Sequence, residues 1–129
     1  MNYETLLKKA YEVAEKAYAP YSKFKVGAAL LTEEGEVFTG CNVECASFGG
    51  TNCAERTAVF KAISEGYHKY TAIAVVSVSE KFTYPCGICR QVLNEFAPEI
   101  DIILDDHGTM KVINLKEMLP YSFGPSDLG

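Results

Sequence analysis

The spacing of three cysteines constrains the fold of this chain more than any other feature. Cys53 begins the run Cys-Ala-Glu, and Cys86 and Cys89 lie further along in the run Pro-Cys-Gly-Ile-Cys. Both runs are predicted to start a helix, and two thiolates separated by two residues at a helix start can converge on one tetrahedral ion. A helix N-terminus also lowers the pKa of a thiol placed there. If the fold brings the two helix starts to one point, the three sulfurs would surround a zinc ion.

The number of candidate ligands favours a catalytic zinc site over a structural one. A structural site is closed by four protein ligands, whereas a catalytic site keeps one position for water. No convincing fourth ligand is found, because His68 and His107 lie in polar, turn-like stretches far from the cysteine pairs. Cys41 and Cys45 are possible ligands but lie outside the helix starts. The odd count of five cysteines argues against complete disulfide pairing and favours metal binding or catalysis in a reducing compartment.

Two charged residues beside Cys53 could serve a catalytic zinc ion. Glu55 is close to the same helix end, where its carboxylate could take a proton from a zinc-activated water and return it to a substrate nitrogen. Three thiolates and Zn²⁺ sum to a charge of minus one, which weakens the effect of the ion on its water. We therefore predict that Arg56 donates hydrogen bonds to the thiolates and offsets this charge.

The order of predicted elements is that of a layered α/β protein. Helices are predicted over 3–18, over 53–65 and from about 85 to the residue before Pro98; strands are predicted over 24–31, 37–41, 71–78, 100–104 and 110–113. The run 71–78 is nearly all small or β-branched, as in a strand buried on both faces. Only residues 105–109 separate the last two strands, so this pair is expected to be antiparallel. The order predicts one domain, residues 1–129, with a mixed sheet.

Local signals refine the second and third helices. Thr51 or Asn52 is expected to cap the second helix. The inward face of the third helix is expected to consist of four apolar residues: Ile88, Val92, Leu93 and Phe96.

Charge and the N-terminal sequence narrow the class of partner. The formal net charge is -5 and the sequence pI is about 5.0, with the lysines scattered. Nucleic-acid binding usually leaves a basic patch, so a neutral small molecule is favoured over nucleic acid or an anionic membrane. The first residues lack the basic start and apolar stretch of a signal peptide, and no apolar run reaches the roughly 20 residues of a bilayer span. We expect a cytoplasmic protein.

Several longer motifs carry a family resemblance that covers nearly the whole chain. They are Tyr-Ala-Pro-Tyr-Ser-Lys-Phe at 18–24, Val-Gly-Ala-Ala-Leu at 26–30, Gly-Cys-Asn-Val-Glu at 40–44, Cys-Ala-Glu-Arg-Thr-Ala at 53–58, Pro-Cys-Gly-Ile-Cys-Arg-Gln at 85–91, and residues 119–128. A ligand-x-Glu motif followed by Pro-Cys-x-x-Cys is a signature already known for zinc deaminases, and this chain has its three-cysteine form. The chain closely resembles the small homotetrameric cytidine deaminases.

The resemblance implies a fold and a reaction. The fold would be a three-layer α-β-α domain with a mixed five-stranded sheet. The reaction would be hydrolytic deamination of cytidine and 2′-deoxycytidine in pyrimidine salvage, with a zinc-activated water attacking C4 of the base. One zinc ion per subunit would be bound by Cys53, Cys86 and Cys89, and Glu55 would carry the protons. The sites would be shared between the subunits of a homotetramer.

The resemblance also implies a set of substrate contacts. Asn42 and Glu44 would hold the ribose 3′-hydroxyl, Phe24 would pack on the pyrimidine, and the backbone of Ala54 would contact the base. Phe123 would reach the site of a neighbouring subunit. Two positions depart from the usual pattern of the family: Cys45 stands where many members have Asn, and Ile88 replaces the common Ala between the paired cysteines.

Without the resemblance, most of these residues have structural interpretations that stay open. Phe24 and Phe123 could be packing residues, and Asn42 and Glu44 could be turn residues on a solvated loop. Glu55 could be the third-position partner of an Asn52 cap, as in a capping box.

Three other functions also stay open. One is deamination of a modified cytidine or an aminonucleoside antibiotic, and another is editing of a base in a nucleic acid. The third is a zinc-stabilised interaction module without catalysis, which would require a closed four-ligand site.

Overall fold

The computed structural model describes residues 1–78 and 83–128, and its centre is a mixed five-stranded sheet. The strands are β1 (Val26–Thr32), β2 (Val37–Cys41), β3 (Tyr70–Ser77), β4 (Asp101–Asp106) and β5 (Thr109–Asn114), in the order β2-β1-β3-β4-β5. Only the β3–β4 pair is parallel among the described strands. The predicted mixed sheet, the first hairpin and the antiparallel last pair are therefore confirmed.

Helices cover both faces of this sheet and give three layers. They are α1 (Tyr3–Ala14), α2 (Ala54–Ser64), α3 (Gly87–Phe96) and the short α4 (Leu115–Met118). Successive residues of a strand point to opposite faces, so β1 contributes to two cores. Ala29 packs with the α1 residues Leu6 and Ala10, whereas Leu30 packs with α2 and α3. The three-layer α-β-α architecture is confirmed.

Two glycines allow the helices to lie directly on the sheet. A Cβ atom on Gly27 would lie 2.0 Å from the carbonyl oxygen of Ala10 in α1. A Cβ atom on Gly40 would lie 2.5 Å from both the carbonyl oxygen of Ala54 and the amide nitrogen of Ala58 in α2. Because Gly40 is in β2, this contact brings the start of α2 against the end of β2.

The ends of two predicted helices are corrected. The helix predicted over 3–18 ends at Ala14, because the chain then turns so that the Tyr18 amide donates to the Asn42 carbonyl at 3.0 Å. The cap of α2 is Cys53, not Thr51 or Asn52. Asn52 is instead paired through its backbone with Val43, with both N···O distances between 2.9 and 3.0 Å.

The inward face of α3 is also shifted from the prediction. Leu93 is buried and Val92 and Phe96 pack against the core, but Ile88 is 61% exposed. The inward position of the first turn belongs to Cys89, which is fully buried. Within the described part of the chain, no helix is both long and apolar enough to cross a bilayer.

Candidate metal centre and active site

The starts of α2 and α3 bring three cysteines together. Cys53 is the N-cap of α2 and Cys86 the N-cap of α3, both with extended backbone, and neither thiol caps its own helix. Cys89 follows in the first turn of α3. The three Sγ atoms all lie within 4.8 Å of one another, which positions the residues to bind a metal ion as the sequence predicted.

The spacing of the sulfurs fits zinc. Four ligands at tetrahedral angles and Zn–S distances of about 2.3 Å would place sulfurs about 3.8 Å apart. The Sγ atoms of Cys53 and Cys86 are 3.7 Å apart. Among residues 1–78 and 83–128, no other cysteine, histidine or carboxylate joins this group. Three thiolates leave one position of the tetrahedron open, as in catalytic zinc sites.

Hydrogen bonds and a guanidinium stabilise negative charge on the sulfurs. Nη2 of Arg56 donates to Sγ of Cys53 at 3.3 Å. A hydrogen bond from the Cys89 thiol, together with Arg56, lowers the pKa of Cys53 to about 5, and the same interaction with Cys53 raises the pKa of Cys89. Nε of Arg56 is buried and has no hydrogen-bond partner among the described residues. Metal binding would deprotonate the cysteine thiols, and the unpaired N–H of Arg56 could then donate to the added negative charge.

Glu55 is a buried carboxyl group beside the sulfurs. It is the second residue of α2 and only 4% exposed. Burial raises its pKa to about 7. The capping-box interpretation is wrong, because Cys53 and not Asn52 is the N-cap, and Glu55 is therefore not at the third position.

A cavity of about 280 Å³ opens beside the cysteines. Most of the candidate site residues are among those that line it: Phe24, Asn42, Glu44, Cys53, Ala54, Glu55 and Cys86. A volume of this size lies just below the range of about 300–1,000 Å³ for sites that hold drug-sized molecules, as suits a small ligand. The structure therefore gathers two of the three predicted zinc ligands, the predicted proton carrier and four predicted substrate contacts around one cavity, with Cys89 buried behind the other two sulfurs' helix starts and outside the lining.

Phe123 does not line this cavity. It lies in the C-terminal segment and is 59% exposed. Its carbonyl oxygen accepts hydrogen bonds from Nε2 of Gln91 at 2.8 Å and from Nδ2 of Asn94 at 3.2 Å. These two side chains belong to α3, so the helix that carries two cysteines also holds the tail segment of the same subunit.

Asn42 has a structural role that the sequence did not reveal. Its Oδ1 accepts from the amide of Val26 at 2.9 Å, and its Nδ2 donates to the carbonyl of Phe24 at 2.7 Å. Asn42 is only 8% exposed. The side chain thus holds the backbone at the start of β1, and its second amide hydrogen is the group left for another acceptor.

Sequence reasoning missed Ser22, which also lines the cavity and hydrogen-bonds to Glu44. The signal available was its place in the motif at 18–24, next to residues already singled out. The two departures from the family pattern lie outside the cavity lining. Cys45 lies in an adjoining depression, where its Sγ is 3.6 Å from the carbonyl oxygen of Gly50, and Ile88 is exposed.

Comparison with known proteins agrees with this geometry. Residues 1–103 match the family model of the cytidine and deoxycytidylate deaminase zinc-binding region. A cytidine deaminase from Halalkalibacterium halodurans is 47% identical over 99% of this chain and 98% of its own length. The crystal structure of a cytidine deaminase from Burkholderia pseudomallei superposes with a TM-score of 0.89 at 48% identity, covering 95% of this chain and all of that one. A more distant relative, a blasticidin-S deaminase from Bacillus cereus, is 29% identical over 79% of both chains.

Proposed function

The chain belongs to the cytidine and deoxycytidylate deaminase family, and on that premise we propose that it hydrolyses cytidine and 2′-deoxycytidine to uridine and 2′-deoxyuridine with release of ammonia, in pyrimidine salvage. The observation that carries the proposal is the open three-sulfur cluster with the buried Glu55 beside a cavity of about 280 Å³. A closed four-ligand site, which an interaction module without catalysis requires, is not found among the described residues.

The proposed chemistry needs a metal and a proton carrier. A zinc ion bound by Cys53, Cys86 and Cys89 would supply the Lewis acidity that makes water a nucleophile near neutral pH. Glu55 takes a proton from the water as its oxygen bonds to C4 of the base, and delivers that proton to N3. Glu55 then carries the second proton to the 4-amino group, which leaves as ammonia. The water oxygen remains on C4 as the new carbonyl oxygen.

The other residues around the cavity have proposed roles in holding the nucleoside. Glu44 and the free amide hydrogen of Asn42 hold the ribose 3′-hydroxyl, since together they offer one acceptor and one donor. Phe24 packs on the pyrimidine, and the backbone of Ala54 contacts the base. All four residues line the same cavity as Cys53, which supports these roles.

Arg56 is proposed to balance the charge of the metal site. Its hydrogen bond to Cys53 draws electron density from one thiolate, so a zinc ion held there would be a stronger Lewis acid. The N-terminal dipoles of α2 and α3 act in the same direction.

Turnover of cytidine is the direct test of the proposed activity. The zinc-loaded protein is expected to replace the ultraviolet band of cytidine and of 2′-deoxycytidine by that of the corresponding uracil nucleoside, with stoichiometric release of ammonia, at a kcat/KM within the range of about 10⁴–10⁸ M⁻¹s⁻¹. Free cytosine and a cytidine-containing oligonucleotide serve as comparison substrates, and we expect little turnover of either. Activity confined to an aminonucleoside antibiotic would favour the alternative suggested by the blasticidin-S deaminase relative.

The assembly is proposed to be a homotetramer in which Phe123 reaches the site of a neighbouring subunit. Phe123 is exposed and its backbone is held by α3, which suits a contact made outside its own subunit. Light scattering on the eluted protein is expected to give four times the 14.2 kDa chain mass, and Phe123→Ala to raise KM for cytidine. An active monomer would contradict this assembly.

We also propose a cytoplasmic location, since the three thiols must stay reduced to bind zinc. Recovery of the protein in another cell fraction would contradict this location.

A further inference from the structure

The hydroxyl of Ser22 hydrogen-bonds to two residues that line the cavity, Glu44 and Phe24. Its Oγ donates to Oε2 of Glu44 and accepts from the amide of Phe24 at 3.0 Å. The backbone amides of Tyr21 and Ser22 both donate to Oε1 of Glu44 at 3.1 Å. One turn of the chain therefore supplies three donors to the carboxylate of Glu44.

This turn requires side chains to hold it. Lys23, which follows Ser22, has φ of 63°, in the left-handed region that non-glycine residues rarely adopt. Such a conformation persists only where surrounding contacts determine it. Ser22 supplies one contact through the amide of Phe24, and Asn42 supplies another through the carbonyl of Phe24 at 2.7 Å.

The same bonds set the charge of Glu44. The hydrogen bond from the Ser22 hydroxyl, with that from its amide, holds the pKa of Glu44 below its usual range. An ionised carboxylate is an acceptor only, with more lone pairs than these donors use. Glu44 is therefore ready to accept a further hydrogen bond from a hydroxyl in the cavity that Ser22, Phe24 and Glu44 all line.

We propose that Ser22 is a positioning residue that couples recognition of the ribose hydroxyl by Glu44 to packing of the pyrimidine on Phe24. Its hydroxyl connects the two groups, so loss of the hydroxyl would release the carboxylate and the ring together. The substrate class favoured by this arrangement is a nucleoside with a free ribose 3′-hydroxyl. This inference rests on the proposed function.

The test compares Ser22→Ala with the wild type on cytidine and on 2′,3′-dideoxycytidine, which lacks the hydroxyl. We expect kcat/KM for cytidine to fall roughly tenfold, mostly through KM, because one charge-assisted hydrogen bond is lost. The value for dideoxycytidine should fall by a smaller factor, about threefold, because that substrate loses only the packing on Phe24, so that the ratio of kcat/KM for cytidine to kcat/KM for dideoxycytidine becomes smaller. Ser22→Gly also removes the hydroxyl and repeats the measurement in a second variant. Ser22→Thr retains the hydroxyl and should keep the preference.

Controls separate this role from general damage to the fold. Ser64→Ala removes another serine hydroxyl, one that donates to the Lys61 carbonyl at 2.7 Å on α2, and should leave both substrates unaffected. Zinc content and circular dichroism of each variant should match the wild type. Equal losses on both substrates, or no loss on either, would overturn the positioning role while leaving the proposed function intact. A wild type that turns over neither nucleoside would overturn the proposed function and this inference with it.

Discussion

Replacing Glu55 by Gln should lower kcat for cytidine by roughly 10²- to 10⁴-fold, the usual contribution of a positioned proton carrier, while zinc remains bound. Glu55 is not needed as a metal ligand, because within the part of the chain that the structure describes the three sulfurs form the cluster without a carboxylate. Gln has nearly the same shape and no charge, so the buried position at the start of α2 should accept it without a cavity. The measurement is kcat at equal zinc content, with ammonia release as the readout.

A matched control is available on the same helix. Glu65 is the C-cap of α2 and is exposed, so Glu65→Gln makes the same chemical change away from the cavity. That variant should retain wild-type kcat. If Glu55→Gln kept more than about a tenth of the wild-type kcat with full zinc, another group or a water chain would be moving the protons, and the proposed role of Glu55 would be wrong.

The zinc cluster could be predicted from sequence because its determinants are local. Cys86 and Cys89 are separated by two residues, and both Cys53 and Cys86 stand at the start of a helix that the sequence pattern already indicates. Only the approach of Cys53 to Cys86 requires the tertiary fold. Gly40 contributes to that approach by admitting α2 close to β2, a packing role that no local signal shows.

The contacts of Asn42 and Ser22 could not be predicted because they join segments distant in sequence. Asn42 holds the backbone of Phe24 and Val26, and Ser22 binds Glu44, so these bonds join the segment before β1 to the segment after β2 at the open end of the hairpin. Such bonds depend on the register of the hairpin, which hydrophobic alternation alone leaves open. Sequence reasoning could name polar residues for the cavity but not their partners.

The prediction that Ile88 faces inward was wrong because the sequence pattern of α3 is ambiguous. In α3 the apolar residues fit two overlapping faces, one through Ile88 and Val92 and one through Cys89 and Leu93. The cysteine motif marks Cys89 as a ligand, but a thiol is also among the most buried side chains in proteins. Burial of Cys89 rotates the helix so that Ile88 faces outward. The face of α3 that packs on the sheet is therefore the one that carries Cys89 and Leu93.

Replacing Cys86 by Ser should remove both the metal and the activity. Of the three sulfurs, that of Cys86 belongs to an exposed residue, whereas Cys89 is fully buried, so the change at Cys86 tests coordination with little effect on packing. Serine supplies a hydroxyl that is a far weaker zinc ligand than a thiolate. We expect less than about one tenth of the wild-type zinc per chain after dialysis and a fall in kcat of more than about 10³-fold. Zinc content by atomic absorption and cytidine turnover on the same sample measure both effects.

Two kinds of comparison variant show whether the loss of zinc in Cys86→Ser comes from the missing ligand. One removes a different cysteine, and the other removes the positive charge of Arg56 beside the sulfurs. Cys45→Ser removes an exposed cysteine that is not part of the cluster and should keep full zinc. Arg56→Ala retains all three sulfurs but loses the guanidinium that donates to Cys53, so it should weaken zinc binding less than Cys86→Ser does, and Arg56→Lys should lie nearer the wild type. Equal zinc affinity in Arg56→Ala and the wild type would remove Arg56 from the metal site. Full zinc in Cys86→Ser would mean that the ion is held elsewhere, since two sulfurs alone leave half of a tetrahedral shell without protein ligands.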